Sequence, residues 1–419
     1  MLNPITQELT PHVPRTSGAP SALEGVRIID FSHFLAGPFA SLILADMGAD
    51  VIKIETPERG EEFRHFGPLH PDLPAQGGPF LWGNRNKRSF AVDLKNHLGL
   101  AVVKDLIATA DVVIENFSSG VMDRLGLGYE VCRALNPRLV YCAVSAYGRE
   151  GKYADRLGFD PIVQAESGFM DMNGFPDREG TRTLSPVIDI HTATMASNAI
   201  LAALLSRVRT GVGQFVEVSL FEDALLMTGY AAMQYLMTGR NPERQGNLSS
   251  DSSPTGIFRS QDKSFYMMCG NDKIYQRLMH EVVLQPELAF DERFQNRQSR
   301  LSNRQILIDL LTPIFLQKPW SHWQEKMRAA AIPCGEVRTV AEAFHSPEAT
   351  ERKVLTRIPH SKVGWIPNVN LPIRFSETPM VDPIPAPAVG QHNIDVLQNV
   401  LGYDAKHIQK IQDSGALGC

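Results

Sequence analysis

Val26-Arg27-Ile28-Ile29-Asp30-Phe31 is followed by the small-residue loop His33-Phe34-Leu35-Ala36-Gly37-Pro38, and then by a helical pattern through Leu42, Ile43, Leu44 and Met47. Gly48 ends that pattern, and Val51-Ile52-Lys53-Ile54-Glu55 is a second nearly continuous apolar run. Short apolar runs on either side of a helix describe a βαβ unit, whose parallel strands must be covered on both faces. The pattern recurs. Leu100–Ala110 reads as a helix, Asp111-Val112-Val113-Ile114-Glu115 as a strand, and a further helix stops before Asn136-Pro137. Arg138-Leu139-Val140-Tyr141-Cys142-Ala143-Val144 is the next strand. Alternation of this kind predicts an α/β fold with a parallel sheet.

Downstream, Ile190–Arg209 predicts a long helix rich in small residues, including Ala193, Ala196, Ser197, Ala199, Ala202 and Ala203. Thr210-Gly211-Val212-Gly213 closes it, and Gln214–Ser219 alternates as a strand. The polar stretch between Ala231 and Ser264 contains Asn247–Pro254 and reads as a functional or mobile loop inside a second domain. Phe265–Gly270 is a strand, with helices expected out to about Ala330. Ile366–Ala388 is dense in Pro and is expected to run extended over the surface, before a helix at Ile394–Leu401. Residues 1–24 are expected to form a loose, disordered tail.

The 419 residues are 43 % hydrophobic and 21 % charged, the balance of a globular enzyme. Lys plus Arg minus Asp plus Glu is 41 − 46 = −5, so there is no overall basic character for nucleic acid. The five cysteines (Cys132, Cys142, Cys269, Cys334, Cys419) include no CxxC pair. Neither a zinc site nor a disulfide framework is expected, and a reducing, cytoplasmic setting is. The start of the chain lacks the pattern of a signal peptide, and no run of about 18 apolar residues suggests a membrane span.

Several clusters invite chemistry. A dinucleotide reading of the first βαβ unit fails, because Gly37 is the one glycine where GxGxxG is needed. There is no GxxxxGK[ST] phosphate loop either. Asn84-Arg85-Asn86-Lys87-Arg88-Ser89 is read as a compact basic loop before a short strand at Phe90–Leu94. It could hold a phosphate, and a solvated turn explains it as well. Asn116-Phe117-Ser118-Ser119-Gly120 follows a strand where open α/β sheets bind ligands, with Arg124 one helical turn later. A helix cap at Ser118 or Ser119 is the plain alternative. Asp189 stands at the start of the long helix, where a capping role is common. His191 reads as a surface or capping histidine, and Gly158-Phe159-Asp160 as a turn into a helix.

Gly25–Phe31, Ala36-Gly37-Pro38 and Leu44–Glu55 together resemble the start of the family III CoA-transferases, the group of formyl-CoA transferase and the carnitine CoA-transferase. Asn86–Ser89, Asp111–Phe117, Leu135–Val140, Thr210–Gln214 and Gly390-Gln391-His392 match in the same order. The resemblance implies a large Rossmann-like domain built from 25–230 and 331–419, a small middle domain over 231–330, and an interlocked homodimer. It places the family's nucleophile on Asp189. That carboxylate would attack an acyl-CoA thioester to give a mixed anhydride, then an aspartyl-CoA thioester, with backbone N–H groups at the helix start stabilising the oxyanions. Coenzyme A, as substrate and not as a resident cofactor, would run along His33, Phe34, Leu35 and Ala36. Lys87, Arg88 and Arg124 would take its phosphates, and Asn116 and Phe117 would line the pantetheine or adenine end. The partners are then an acyl-CoA and a small carboxylic acid, and no metal is expected.

The family also holds 2-methylacyl-CoA racemases, which need a histidine in a Gly-His-Asp turn. Here that turn is Gly158-Phe159-Asp160, and phenylalanine can neither take nor deliver a proton. His191 would be the substitute base. A non-catalytic acyl-CoA-binding protein is the remaining alternative. Formyl-CoA transferases carry a run of glycines in an active-site loop, whereas Ser249-Ser250-Asp251-Ser252-Ser253-Pro254 has none, so oxalate is not named as the acid. Arg156, Arg182 and His191 are each candidates to meet a second carboxylate.

Overall fold

The computed structural model describes residues 9–418. Six parallel strands form the main sheet: β1 (Arg27–Asp30), β2 (Asp50–Glu55), β3 (Lys87–Ala91), β4 (Val112–Glu115), β5 (Val140–Ser145) and β6 (Phe215–Ser219). Their order is β3-β2-β1-β4-β5-β6, the doubly wound arrangement in which the chain reverses direction between β1 and β4. In register, Ile29 lies beside both Ile52 and Val113, all three fully buried. The crossovers are helices α1 (Ala36–Asp46) and α2 (His97–Ala108). Val103, Leu106 and Ile107 of α2 recur at helical spacing and bury completely against the sheet. Asn96 caps α2 by accepting from the Leu98 N–H. Every residue of α1 is buried. Its first charge, Asp46, is met at once by Arg85 and Asn86.

Helices α3 (Asp160–Glu166) and α4 (Val187–Thr210) follow β5. The small-residue face of α4, with Ala193, Ala196 and Ala203 among its buried residues, lets the helix lie close against α1. It ends where Gly211 takes φ +76° and donates its N–H to Arg207 O, a left-handed stop that suits glycine. By length and apolarity alone α4 could cross a membrane, which the sequence reading did not anticipate; in this fold it carries eight buried residues as a packing helix.

The chain divides into two compact units. The first runs to Phe169, takes Arg182–Ala232 and resumes at Pro347. It also contains the antiparallel pair Leu355–His360 and Gly364–Val369, beyond which residues 370–392 are largely irregular, as the proline density suggests. The second comprises Met170–Thr181 and Met233–Ser346. In it Thr255–Arg259, Ser264–Met268 and Cys334–Glu336 form a three-stranded antiparallel sheet over Phe265, Phe315, Trp320 and Trp323. Pairing of 334–336 with 264–268 carries this unit beyond the residue 330 set from sequence.

Three expectations need correction. The loose tail was placed over 1–24; residues 1–8 lie outside the described residues, but from Leu9 onward the segment is held. Leu9 and Leu23 are buried, His12 and Arg15 N–H both reach Asp382, and Pro11 bridges to Arg357. Second, Lys87 and Arg88 belong to strand β3 and not to a basic loop. The pairing Val51–Lys87 and Ile52–Arg88 shows the strand beginning three residues earlier than apolarity suggested. Third, the stretch after Ala231 is not all loop, since Tyr230–Thr238 is a helix, α5. Its Ser249–Pro254 portion is anchored by Arg297, Arg300 and Arg304, each donating to a backbone carbonyl within it.

Candidate active site

A cleft of about 310 Å³ opens at the carboxyl ends of the strands, at the reversal point between β1 and β4. His33, Phe34, Leu35 and Ala36 enter it from the loop after β1, and Asn116, Phe117, Ser118 and Ser119 from the loop after β4. Ala146 and Arg149 follow β5, Arg156–Phe159 precede α3, and Asp189 comes from the first turn of α4. A second cavity, of about 370 Å³, lies by the N-terminal segment and residues 370–383. Its charges are largely spent on each other, Arg85 on Asp46 and His12 on Asp382.

Asp189 is the third residue of α4, and its side chain caps nothing; Pro186 holds the cap position. No hydrogen bond from the described chain reaches its carboxylate. Burial, and then the nearby negative Asp160, push its carboxyl up to about 7. Asp160 is fixed by three bonds. Its Oδ2 accepts from the N–H groups of Ile188 (2.8 Å) and Asp189 (3.3 Å), and its Oδ1 accepts from Gln164 Nε2 (2.6 Å). The cleft therefore presents one unencumbered carboxylate that is poised to titrate near neutrality, as a nucleophile or a proton acceptor would.

The His33–Ala36 loop lines the same cleft, and buried side chains impose its shape. Phe34 has φ +61°, a left-handed conformation unfavourable for an aromatic residue. Its N–H donates to Glu61 Oε2 (2.9 Å), while Asn116 brackets His33 by accepting from its N–H (2.8 Å) and donating to its carbonyl (2.7 Å). Lys53 donates to the Ser32 carbonyl (2.6 Å) and lies 3.8 Å from Glu61. Burial, with Lys53 adding to it, holds the His33 imidazole down to about 4, so it is neutral at pH 7. In the first turn of α1, the N–H groups of Ala36 and Gly37 meet no acceptor among the described residues.

The model of CoA-transferase family III matches residues 23–393, nearly the whole chain. The chain belongs to that family. Over 395 residues it is 33 % identical to the succinyl-CoA:glutarate CoA-transferase of Mus musculus, covering 94 % of this chain and 90 % of the mouse protein. It is 37 % identical over 351 residues to the acetyl-CoA:oxalate CoA-transferase of Acetobacter aceti, covering 84 % and 88 %. Among solved structures, a CaiB/BaiF family protein from Brucella suis superposes with a TM-score of 0.82 at 35 % identity, covering 91 % of this chain and all of that one.

The transferase brings together in one cleft Asp189, His33, Phe34, Leu35, Ala36, Asn116 and Phe117. Lys87 and Arg88 are elsewhere, which corrects their reading as phosphate ligands. Lys87 is buried and gives its ammonium to Asp30 (3.1 Å), the Pro38 carbonyl (2.8 Å) and Asn84 Oδ1 (2.8 Å). Burial brings it down to about 8, partly opposed by Asp30. Arg88 pairs with Asp50 and Asp395. As neighbours on a strand they face opposite sides of the sheet, and each is engaged by carboxylates of the fold itself. Arg124 is exposed and does not line the cleft; its Nη1 lies 2.9 Å from where a Cβ on Gly120 would sit. The N–H groups at the start of α4 are not free for an oxyanion either: Ser185 O takes Val187, Asp160 takes Ile188 and Asp189, and Pro186 O takes Ile190. His191 is not in the cleft; its Nδ1 is 2.7 Å from Asp223 Oδ1.

Sequence reasoning missed Asp160, Glu61, Lys53 and the Arg149–Glu115 pair of the transferase. Glu115 Oε2 accepts the Phe117 N–H and Arg149 Nη1 donates to the Phe117 carbonyl, so one ion pair grips both ends of that peptide. Burial pushes Glu115 up to about 7, against the pull of Arg149. A charge inside an otherwise apolar strand, as with Lys53 in Val51–Glu55 and Glu115 after Val112–Ile114, was the available signal.

Proposed function

We propose that this transferase moves coenzyme A from an acyl-CoA thioester to a carboxylic acid, with Asp189 as the covalent nucleophile. The observation that carries the reading is the free Asp189 carboxylate at the switch-point cleft, unbonded and titrating near 7. A carboxylate oxygen attacks the thioester carbonyl, the C–S bond breaks, and CoA leaves as thiolate from a mixed anhydride. The thiolate then attacks the aspartyl carbonyl, releasing the first acid and leaving an aspartyl-CoA thioester. The second acid's carboxylate attacks that carbonyl, and the expelled thiolate takes the new acyl group from the anhydride, regenerating Asp189. With the α4 donors occupied, the open N–H groups of Ala36 and Gly37 at the start of α1 are the candidates to stabilise the oxyanions.

Dicarboxylic acids are the substrate class we favour, because relatives named above act on succinate, glutarate and oxalate. A homodimer accompanies this reading: no residue of α5 is buried, and Tyr230, Leu236 and Met237 stand more than two-thirds exposed on it. A contiguous apolar face of this kind is seldom left to water. The reaction is tested by incubating the chain with an acyl-CoA and hydroxylamine, then mapping peptides by mass. A hydroxamate at Asp189 supports the covalent route. An unmodified Asp189 in an enzyme that still turns over, or full activity in Asp189→Ala, refutes it.

A further inference from the structure

We propose that Arg156 reads the distal carboxylate of a dicarboxylic substrate, an inference that rests on the CoA-transfer reading above. When a dicarboxylic acid is transferred, one carboxylate reacts at Asp189 and the other remains an anion inside the cleft. An anion removed from water needs a charged, hydrogen-bonding partner. Three basic side chains line the cleft: His33, Arg149 and Arg156.

The other two are poorly placed to do this. The His33 ring packs against Phe117 in a neutral state, so it brings no charge to an anion. Arg149 gives Nη1 to the Phe117 carbonyl (2.7 Å) and Nη2 to Glu115 (2.8 Å) and the Val144 carbonyl (3.1 Å), which leaves only its buried Nε without a partner, one donor where a bidentate grip on a carboxylate needs two. Turning it toward a substrate would strip the peptide that shapes the cleft wall.

Arg156 is different. Its Nη2 donates to Glu166 Oε1 (2.6 Å) and its guanidinium lies 4.4 Å over the Tyr147 ring, while Nε and Nη1 meet no acceptor among the described residues. The two side chains of the pair are 44 % and 37 % exposed, so exchanging one carboxylate for another costs little desolvation. Glu166 keeps a second donor, the Tyr147 hydroxyl (2.6 Å), when Arg156 leaves. Arg156 also stands four residues before Asp160, which holds the Asp189 N–H. Gly158 between them packs so closely that a Cβ there would lie 2.7 Å from Ala146 Cβ. Charge, spare donors and tethering to the nucleophile coincide only at this residue of the three, and a planar guanidinium suits bidentate recognition of carboxylate.

The test is an internal competition. The full-length enzyme receives succinyl-CoA with equal glutarate and pentanoate, acids of one length that differ in the second carboxylate. The ratio of glutaryl-CoA to pentanoyl-CoA is read by mass spectrometry. Both acceptors draw on the same aspartyl-CoA intermediate, so the donor step cancels. The wild type should favour glutaryl-CoA, and Arg156→Met should lower the ratio about ten- to a hundredfold, the worth of a charge-assisted contact. Arg156→Lys should recover part of it, and Glu166→Gln, which frees the guanidinium, should leave the ratio at or above wild type. An unchanged ratio in Arg156→Met overturns the proposal. So does an equal fall in both products with a raised KM for acyl-CoA, which assigns Arg156 to a CoA phosphate. Should Arg156→Met fail to fold, a wild-type ratio in Arg156→Lys together with a lowered one in Glu166→Gln overturns it as well. A wild-type enzyme that makes neither product refutes the transfer reading itself.

Discussion

Asp160→Asn isolates the charge that sits behind the nucleophile. An asparagine side-chain oxygen can still accept from the Ile188 N–H, now 2.8 Å from Asp160 Oδ2, so the start of α4 keeps its anchor while the negative charge goes. The Asp189 carboxyl stands at about 7 against an ordinary 3.8, with burial the larger cause and Asp160 the smaller. Less than half of that rise belongs to Asp160. The acid limb should therefore move down by no more than about 1.5 pH units, or about 2 kcal/mol at 1.36 kcal/mol per unit. Below its pKa the carboxyl is protonated and cannot attack, so kcat/KM for acyl-CoA rises with pH through about 7 in the wild type. The assay is that profile from pH 5 to 9, which reports the free enzyme's ionisations. At pH 5.5 Asp160→Asn should be several-fold faster than wild type, and at pH 8.5 equal or slower. A limb that stays at 7, or moves up, would refute the assignment of Asp189 as the titrating nucleophile under the influence of Asp160.

The same raised pKa carries a stability cost of opposite sign. Folding favours protonated Asp189, so that contribution is present below 3.8 and is lost as pH rises through about 7. Discounted for its partial exposure, Asp189→Asn should gain about 1–2 kcal/mol over wild type at pH 8 relative to pH 5 in urea unfolding; a pH-independent difference would contradict this. Lys87→Met leaves buried Asp30 with its charge met chiefly by Lys53 and should cost about 3–5 kcal/mol, with the urea midpoint as readout. A loss below about 1 kcal/mol would show the network to be redundant. Tyr230→Glu combined with Leu236→Glu should halve the mass seen by light scattering, and a wild-type chain that is already monomeric would end the dimer reading.

The sheet was legible because its strands are short apolar runs alternating with helical periods, and the failures came where charge interrupts apolarity. Lys87-Arg88 reads as a loop because the first two residues of β3 are cations; their partners, Asp30 across the sheet and Asp395 some three hundred residues later, are invisible locally. The tail reads as loose because Asp382, which holds His12 and Arg15, lies far along the chain. Asp189 was placed through the likeness of the whole chain to a family. What it could not tell was that Asp160 consumes the helix-start donors, a matter of two loops meeting in space. Glu61 and Phe34 likewise meet across 27 residues, and only the fold shows that a buried glutamate sustains the left-handed turn.

Strand β3 is the outer strand of the main sheet, and its free side is sealed by the far end of the chain. The Asn393 side chain accepts from the Ala91 N–H, His392 N–H donates to Ser89 O, Gly418 N–H donates to Ala91 O, and Ala416 O takes the Asp93 N–H. During synthesis, therefore, this edge leaves the ribosome some 300 residues before the segment that closes it. Until then its backbone groups can pair with any strand that passes, including the same edge on a neighbouring nascent chain. A stop codon near residue 390 would harm a strand laid down in the first quarter of the protein, and the visible outcome would be inclusion bodies more than lost catalysis.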